Sequence, residues 1–165
     1  MLAVLGLGSN TGDRRRLVLD AVTALRQVLA DLRQASLYET EPLYVTDQNL
    51  FINTAVSGLY SGTSGELFSR IRQIEASFGR DRLRERRWGE RTLDIDILLF
   101  GEQRLVFPAS ENQPYLEIPH PFLKERRFAL QPLLELLPDA VEPETGLLYA
   151  GICRALPDQG VRLVE

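Results

Sequence analysis

The chain has 165 residues, with 44% hydrophobic and 25% charged side chains and a formal net charge of −4. This composition is typical of a soluble globular domain, and no apolar run reaches the roughly 20 residues that a transmembrane helix needs. Nucleic-acid-binding domains are more often basic overall, so the acidic balance disfavours that class. Cys153 is the only cysteine, which excludes an intrachain disulfide, and the lack of a secretory signal pattern predicts a cytoplasmic protein.

The first 60 residues predict one helix among three strands. Residues 2–7 form an apolar run typical of a buried strand, and the glycine-rich segment 6–12 predicts a strand-to-helix turn. Asp13 is a favourable helix N-cap, and apolar residues recur at helical spacing as far as Leu32, which predicts a helix of about five turns. Alternating patterns predict strands at residues 36–40 and 51–60.

The rest of the chain predicts a second helix, a longer strand and a smaller C-terminal part. Thr63 and Glu66 match a capping box, and Gly79 is a natural helix terminator. An arginine-rich loop, residues 80–91, leads into an alternating strand at 94–100. Further elements are expected at residues 104–107 (a hairpin arm), 128–137 (a short helix) and 161–164 (a final strand).

The order β-α-β-β-α-β followed by a C-terminal extension is that of the ferredoxin-like fold. This is an α+β arrangement in which helices pack on an antiparallel sheet. The sequence contains no internal repeat, low-complexity tract or linker. We therefore expect one domain over residues 1–165 that works as a monomer and has no membrane segment.

Asp94 and Asp96 are the most informative pair in the sequence. On an extended strand they point to one side, with Cα atoms roughly 6–7 Å apart. The apolar residues of the same strand, Ile95, Ile97 and Leu99, would point to the other side. Aspartate is depleted in strands, which favours a role for the pair beyond an exposed acidic face. Two neighbouring carboxylates need a counter-charge, and Mg²⁺ completed by substrate phosphates supplies one.

Arginines are concentrated just before this strand, at Arg80, Arg82, Arg84, Arg86, Arg87 and Arg91. Most runs of charge are solvated loops. This run enters the acidic strand directly, which favours a phosphate chain held by both the cations and the carboxylates. Trp88 lies within the same loop and is a candidate cover for a nucleotide.

Three more polar residues have both a structural and a functional interpretation. His120 lies between two prolines, which hold its backbone extended, so it is either a turn histidine or a rigidly aimed phosphate donor. Glu75, late in the second helix, is either solvated or directed toward the same pocket. Asn53 interrupts an apolar alternation, and a buried amide there would need partners or could read the edge of a heterocycle.

Taken together, these motifs resemble the 6-hydroxymethyl-7,8-dihydropterin pyrophosphokinase family. The most specific part is the segment 87–96, which reads Arg-Trp-Gly-Glu-Arg-Thr-Leu-Asp-Ile-Asp. The resemblance runs in order from about residue 2 to residue 140. Its other segments are 7–10, 38–43, 51–56, 74–75, 79–80 and 118–121, with Arg126 and Phe128.

The resemblance implies a reaction of folate biosynthesis. A pyrophosphoryl group would pass from ATP to the hydroxymethyl oxygen of the dihydropterin, giving the pterin diphosphate and AMP. The enzyme would be a Mg²⁺-dependent diphosphotransferase with ATP as its co-substrate. By the same resemblance, Asp94 and Asp96 would hold two Mg²⁺ ions that bridge the triphosphate.

The resemblance also implies roles for the other site residues. Arg80, Arg82 and Arg91 would neutralise phosphates and act in catalysis with the two aspartates. The nucleotide would contact Glu75, Arg82, Trp88, Arg91, Ile97 (through its backbone), His120 and Arg126. The pterin would stack between Phe51 and Phe128 and be read at its edge by Thr40, Leu43 and Asn53.

Two other functions are compatible with this pattern. A non-enzymatic ferredoxin-like module could bind single-stranded nucleic acid through the arginine loop and Trp88, although the acidic balance and the aspartate pair disfavour it. A different Mg²⁺-dependent kinase on the same fold could transfer a single phosphoryl group to a small alcohol.

Overall fold

The computed structural model of the protein describes residues 1–43, 45–80, 89–110 and 114–164. Its strands are β1 (Leu2–Ser9), β2 (Ala30–Gln34), β3 (Tyr38–Thr40), β4 (Phe51–Leu59), β5 (Asp94–Phe100), β6 (Leu105–Phe107), β7 (Leu116–Ile118) and β8 (Arg162–Leu163). Its α-helices are α1 (Arg14–Leu25), α2 (Ser64–Ser77), α3 (Arg127–Leu136) and α4 (Tyr149–Ala155). A short 3₁₀ turn, Leu123–Glu125, precedes α3.

The main sheet has the strand order β5-β1-β4-β3-β8, and β2 also pairs with β4. All of these pairs are antiparallel. Strands β2 and β3 lie end to end along the same edge of β4, where β2 pairs near Leu59 and β3 pairs near Phe51. A second sheet contains β6 and β7. This architecture confirms the predicted ferredoxin-like α+β class.

Apolar residues pack on both faces of the main sheet. One core contains Leu5, Leu7 and Ile95 from the sheet, together with Leu25 of α1 and Ile71 of α2. The opposite core is formed by Val4, Leu98, Leu130, Leu133 and Tyr149. The C-terminal extension thus covers the face that a minimal ferredoxin-like unit leaves open, and it closes one side of the pocket described below.

The first helix is shorter than its sequence pattern predicts. The apolar spacing predicts a helix as far as Leu32, but α1 ends at Leu25 and Leu32 lies in β2. No glycine or proline marks this break. Backbone pairing of β2 with β4 outweighs helix continuation, and Val28 and Leu32 pack against the same core from a turn and a strand instead.

The strict alternation predicted for β5 fails at its second half. Asp94 and Asp96 share one side and Ile95 and Ile97 the other, but Leu99 joins Leu98 in the core under α3. The cause is a register shift: Leu5 pairs with Ile97, whereas the preceding residue of β1 pairs with Leu99. The extra residue is a β-bulge, which reverses the facing of side chains beyond it.

The predicted start of α1 and both predicted ends of α2 are confirmed. The Asp13 side chain accepts a hydrogen bond from Arg16 N at the start of α1. At α2, Thr63 and Glu66 form the reciprocal capping box, and Gly79 follows the helix with a φ of 82°. Within the described ranges, no helix combines the length and apolar character needed to cross a bilayer.

Candidate active site

A pocket opens where three central strands and α3 meet. Because neighbouring strands are antiparallel, the C-terminal end of β1 lies beside the N-terminal ends of β4 and β5. This arrangement brings Asp94 and Asp96 into one pocket with Asn53, and α3 adds Phe128 from above. Asn53 and Asp94, which are more than 40 positions apart in sequence, therefore line the same cavity.

Two glycines of β1 form the floor of this pocket. The sequence predicts a turn over residues 6–12, but Gly6 and Gly8 are part of the continuous strand Leu2–Ser9. In the sheet, Gly8 lies between Asp94 on one side and Asn53 on the other, and Gly6 pairs with Asp96. A glycine inside a strand is typical of a site where another group approaches the backbone closely.

Asp94 lies at the centre of a cluster of charged side chains. One of its carboxylate oxygens accepts from Arg80 and the other from Arg91. Arg80 also donates to Glu75, whose carboxylate accepts the backbone N–H of Ile95 at 2.9 Å. Burial raises the pKa of Asp94, but the Arg91 and Arg80 guanidiniums outweigh this effect and hold it at about 2. Asp94 is therefore a fixed negative charge.

Asp96 has a different environment from its neighbour. Its Oδ2 atom lies 3.6 Å from His120 Nε2 and 3.7 Å from Arg126 Nη1, both beyond ordinary hydrogen-bond distance. Burial and the charge of Asp94 raise the pKa of Asp96 to about 6. The two carboxylates therefore repel each other, and an added cation at this end of the pocket would relieve that repulsion.

His120 is held in place beside this pair. Its backbone N–H donates to Leu98 O at 3.2 Å, and its Nδ1 accepts the backbone N–H of Phe122. Burial and the positive charge of Arg126 lower the pKa of His120 to about 4. The imidazole is therefore neutral near pH 7, and its contact with Asp96 is not an ion pair.

The other half of the pocket carries a buried amide and aromatic rings. Asn53 is 5% exposed, and its Nδ2 donates to Thr40 Oγ1 at 2.6 Å. Phe51, Phe128 and Leu43 line the same cavity. Arg126 lies over the Phe128 ring, with its guanidinium carbon 5.7 Å from the ring centre. This half suits a flat heterocycle with polar edges.

Most of the residues predicted for the site do come together. Residues that line the cavity are Thr40, Leu43, Phe51, Asn53, Arg91, Asp94, Asp96, His120, Arg126 and Phe128. Glu75 and Arg80 lie behind Asp94, and the Ile97 side chain is in the core on the opposite face of the sheet. Arg82 and Trp88, the remaining two, lie outside the described residues.

Several residues that line the pocket were absent from the sequence-based site, among them Gly6, Gly8 and Gln48. The glycine-rich pattern predicts a turn at Gly6 and Gly8. Their alternation at the end of an apolar run is nevertheless a signal for a strand whose glycines leave room for another group to approach the backbone. Gln48 lines the cavity from the segment between β3 and β4. Nothing in the sequence around Gln48 distinguishes it from a solvated loop residue.

The fold and the site define a ferredoxin-like α+β protein with a pocket in which a carboxylate pair and arginines lie beside aromatic rings. A family model described as 7,8-dihydro-6-hydroxymethylpterin-pyrophosphokinase (HPPK) matches residues 4–138. The chain belongs to this family.

Curated relatives agree with this assignment. The chain is 40% identical over 137 residues to a 2-amino-4-hydroxy-6-hydroxymethyldihydropteridine pyrophosphokinase of Bacillus subtilis, covering 82% of this chain and 77% of that protein. It is also 40% identical over 144 residues to the mitochondrial folate synthesis bifunctional protein of Arabidopsis thaliana. That match covers 86% of this chain and 24% of the plant protein, so the chain spans about a quarter of the bifunctional relative.

Solved structures give the same fold. The wild-type HPPK-DHPS protein of Plasmodium falciparum superimposes with a TM-score of 0.74 at 14% sequence identity, covering 93% of this chain and 44% of that one. At this level of identity the similarity supports the architecture alone.

Proposed function

We propose that the protein transfers a pyrophosphoryl group from ATP to the hydroxymethyl group of 6-hydroxymethyl-7,8-dihydropterin, releasing AMP. The observation that carries this proposal is a single cavity with two chemically different halves. At one end Asp94 and Asp96 lie beside arginines, and at the other a buried amide lies between aromatic rings. Family membership supplies the identities of the two substrates. One chain contributes to both halves, which supports a monomer as the working unit.

The carboxylate pair fits Mg²⁺ rather than a metal held entirely by protein. Among the described residues, no group of three or more His, Cys, Asp or Glu side chains could hold an ion. Mg²⁺ is usually bound through one or two carboxylates and completed by waters and substrate phosphates. We assign Asp94 and Asp96 to two Mg²⁺ ions, which would neutralise charge on the triphosphate when bound.

Two arginines and one neutral histidine are placed to donate hydrogen bonds to the phosphates. Arg91 Nε is buried and has no hydrogen-bond partner within the described part of the chain, and a phosphate oxygen would satisfy it. His120 can donate an N–H as a neutral imidazole, and Arg126 adds a positive charge on the same side of Asp96. Arg82 and Trp88 are further nucleotide-binding candidates by family resemblance, as are Glu75 and the backbone of Ile97.

The acceptor half presents groups that match a pterin. With Asn53 Nδ2 bonded to Thr40, the Oδ1 atom of the amide remains an acceptor for ring N–H groups. Phe51 and Phe128 offer two aromatic faces to the bicyclic ring, and Leu43 adds an apolar contact at its edge. This subsite would aim the hydroxymethyl oxygen toward the carboxylate end.

The proposed step needs positioning and charge neutralisation more than covalent chemistry. The hydroxymethyl oxygen attacks the β-phosphorus of ATP, and the bond from that phosphorus to the α,β-bridging oxygen breaks. AMP leaves with the bridging oxygen, and the hydroxyl proton is released to solvent. No protein nucleophile is required, which is consistent with a described site that lacks a nucleophile–base pair.

Incubation of the full chain with ATP, Mg²⁺ and 6-hydroxymethyl-7,8-dihydropterin tests this function. We expect mass spectrometry to detect AMP and the pterin diphosphate in equal amounts. ADP with a pterin monophosphate would instead indicate a kinase that transfers one phosphoryl group. Absence of turnover combined with tight binding of a single-stranded oligonucleotide would favour the nucleic-acid-binding module.

Adding one methyl group to the pocket floor is expected to damage the pterin subsite. A Cβ at Gly8 would lie 2.6 Å from Asn53 Oδ1, so Gly8→Ala forces the amide away from Thr40. Losing a buried hydrogen bond of this kind costs about 1–3 kcal/mol, which corresponds to about 5- to 150-fold in affinity. We expect the Kd for the pterin, measured by calorimetry, to rise by about that factor.

Gly6→Ala is the matched control for this substitution. A Cβ at Gly6 would have Leu98 as its nearest neighbour, with Leu98 Cδ2 at 3.2 Å, and Asn53 is not among its nearest atoms. The control should therefore change the pterin Kd much less. Equal effects of the two substitutions would show that the Asn53 subsite is assigned wrongly.

A further inference from the structure

We infer that Gln159, in the C-terminal tail, is a positioning residue that fixes the start of α3 and so holds Phe128 over the acceptor half of the pocket. This inference rests on the proposed function and assigns a role to the tail, residues 156–164, which follows α4. The family match ends at residue 138, so the tail lies beyond it. Gln159 is half-buried and is not one of the described residues that line the pocket, so it acts through the residues that it holds.

The start of α3 has no cap of its own. Helix α3 begins at Arg127, and the N-cap residue, Arg126, makes no side-chain cap hydrogen bond. An arginine side chain has no acceptor atom, so it cannot receive the N–H groups that the first turn of a helix leaves free. The turn that carries Phe128 therefore depends for its capping on water or on an acceptor from elsewhere in the chain.

Gln159 supplies that acceptor from 32 positions further along the chain. Its Oε1 accepts the backbone N–H of Arg127 at 2.8 Å, and its Nε2 donates to Glu125 O at 2.8 Å. The Arg127 side chain donates in return to the tail, at Leu156 O, over 3.3 Å. One amide therefore bridges the end of the 3₁₀ turn and the start of α3, immediately before Phe128.

The other end of the tail is anchored on the main sheet. Leu163 of β8 pairs with Tyr38 of β3, and Tyr38 pairs on its other side with Asn53. The tail therefore runs from the helix that carries Phe128 to the strand next to Asn53. Because its backbone is bonded on both sides of Gln159, this side chain loses less freedom when it bonds to α3 than it would on a loose terminus.

A capped first turn lowers the cost of binding the acceptor. Where the start of α3 frays, a ligand that stacks on Phe128 must order that turn as well, and the ordering cost is subtracted from its affinity. Gln159→Leu removes both bonds of the amide and keeps a side chain of similar size. We expect this substitution to raise the pterin Kd about fivefold, the usual scale for loss of a helix cap.

Gln159→Glu is the conservative variant. Its carboxylate still accepts the backbone N–H of Arg127, and a negative charge beside a helix N-terminus is favourable. It loses only the donor to Glu125 O. We therefore expect Gln159→Glu to keep a pterin Kd close to the wild-type value.

The test measures the pterin Kd of the full chain by calorimetry, in the presence of saturating Mg²⁺ and α,β-methylene-ATP, a nucleotide that resists cleavage. Hydrogen exchange and urea unfolding are measured on the same variants. We expect Gln159→Leu to raise the Kd and to speed amide exchange in residues 127–130, the first turn of α3. Gln27→Leu is the control, since Gln27 is an exposed glutamine outside the pocket, and it should change neither quantity.

A merely structural role for Gln159 predicts a different result, in which Gln159→Leu lowers the free energy of unfolding and leaves the pterin Kd unchanged. That result would overturn the inference. Equal losses of affinity in Gln159→Leu and Gln159→Glu would overturn it as well, because only the first removes the acceptor. A wild-type chain that binds no pterin would contradict the proposed function. Exchange in residues 127–130 then decides the positioning of α3, and unchanged exchange in Gln159→Leu would refute it.

Discussion

Replacing Asp96 with alanine is expected to lower kcat by about 10³-fold while leaving the protein folded. Loss of a metal ligand removes several kcal/mol of charge stabilisation in the transition state, and each 1.36 kcal/mol corresponds to about tenfold in rate. The fold should tolerate the change because the contacts of Asp96 with His120 and Arg126 are longer than 3.5 Å. Steady-state rates and thermal unfolding of the variant measure the two effects separately.

Asp139→Ala serves as the control for this substitution, since Asp139 is an exposed aspartate outside the pocket. It should leave kcat unchanged. Asp94→Ala should lower kcat at least as much, but it removes a carboxylate from both Arg80 and Arg91 and is therefore a less clean test. Near-normal kcat in Asp96→Ala would contradict the metal assignment.

Replacing Glu75 with alanine is expected to destabilise the protein by about 3–5 kcal/mol, the usual cost of removing one partner from a buried ion pair. Glu75 is 1% exposed, it pairs with Arg80, and it accepts the backbone N–H of Ile95 at 2.9 Å. Its loss leaves a buried guanidinium with less compensating charge and a strand N–H without its acceptor. Urea unfolding measures the change in the free energy of unfolding.

Gln73→Ala is the matched control, because Gln73 is an exposed residue of the same helix, two positions earlier. It should change the free energy of unfolding by no more than about 0.5 kcal/mol. The comparison also separates two roles for Glu75. A residue that only contacts the nucleotide would raise the KM for ATP and leave stability near the wild-type value, which would contradict the role assigned here.

The sequence predicts the carboxylate site well because the relevant information is local. Period-two alternation in a strand is enough to place Asp94 and Asp96 on one side, and the structure confirms this placement. The same rule fails at Leu99, because the bulge depends on how β5 pairs with β1 and not on β5 itself. The helical spacing of apolar residues likewise cannot place the end of α1, because the pairing of β2 with β4 determines where the helix stops.

Long-range hydrogen bonds are what the sequence does not reveal. The bonds from Asn10 to Gln48 and to Arg91 span 38 and 81 positions. The assignment of Glu75 to a solvated face or to the pocket also depends on where Arg80 lies after α2 ends. Such contacts follow from topology, so they become visible only once the strands and helices are placed.

Transfer from ATP labelled with ³²P at the β-phosphorus tests the central claim most directly. Attack at the β-phosphorus carries that atom to the acceptor, so we predict label in the pterin product and none in the nucleotide product, AMP. Transfer of a single phosphoryl group would leave the label in ADP and the pterin product unlabelled. That second result would contradict the proposed reaction while leaving the family fold and the carboxylate site unchanged.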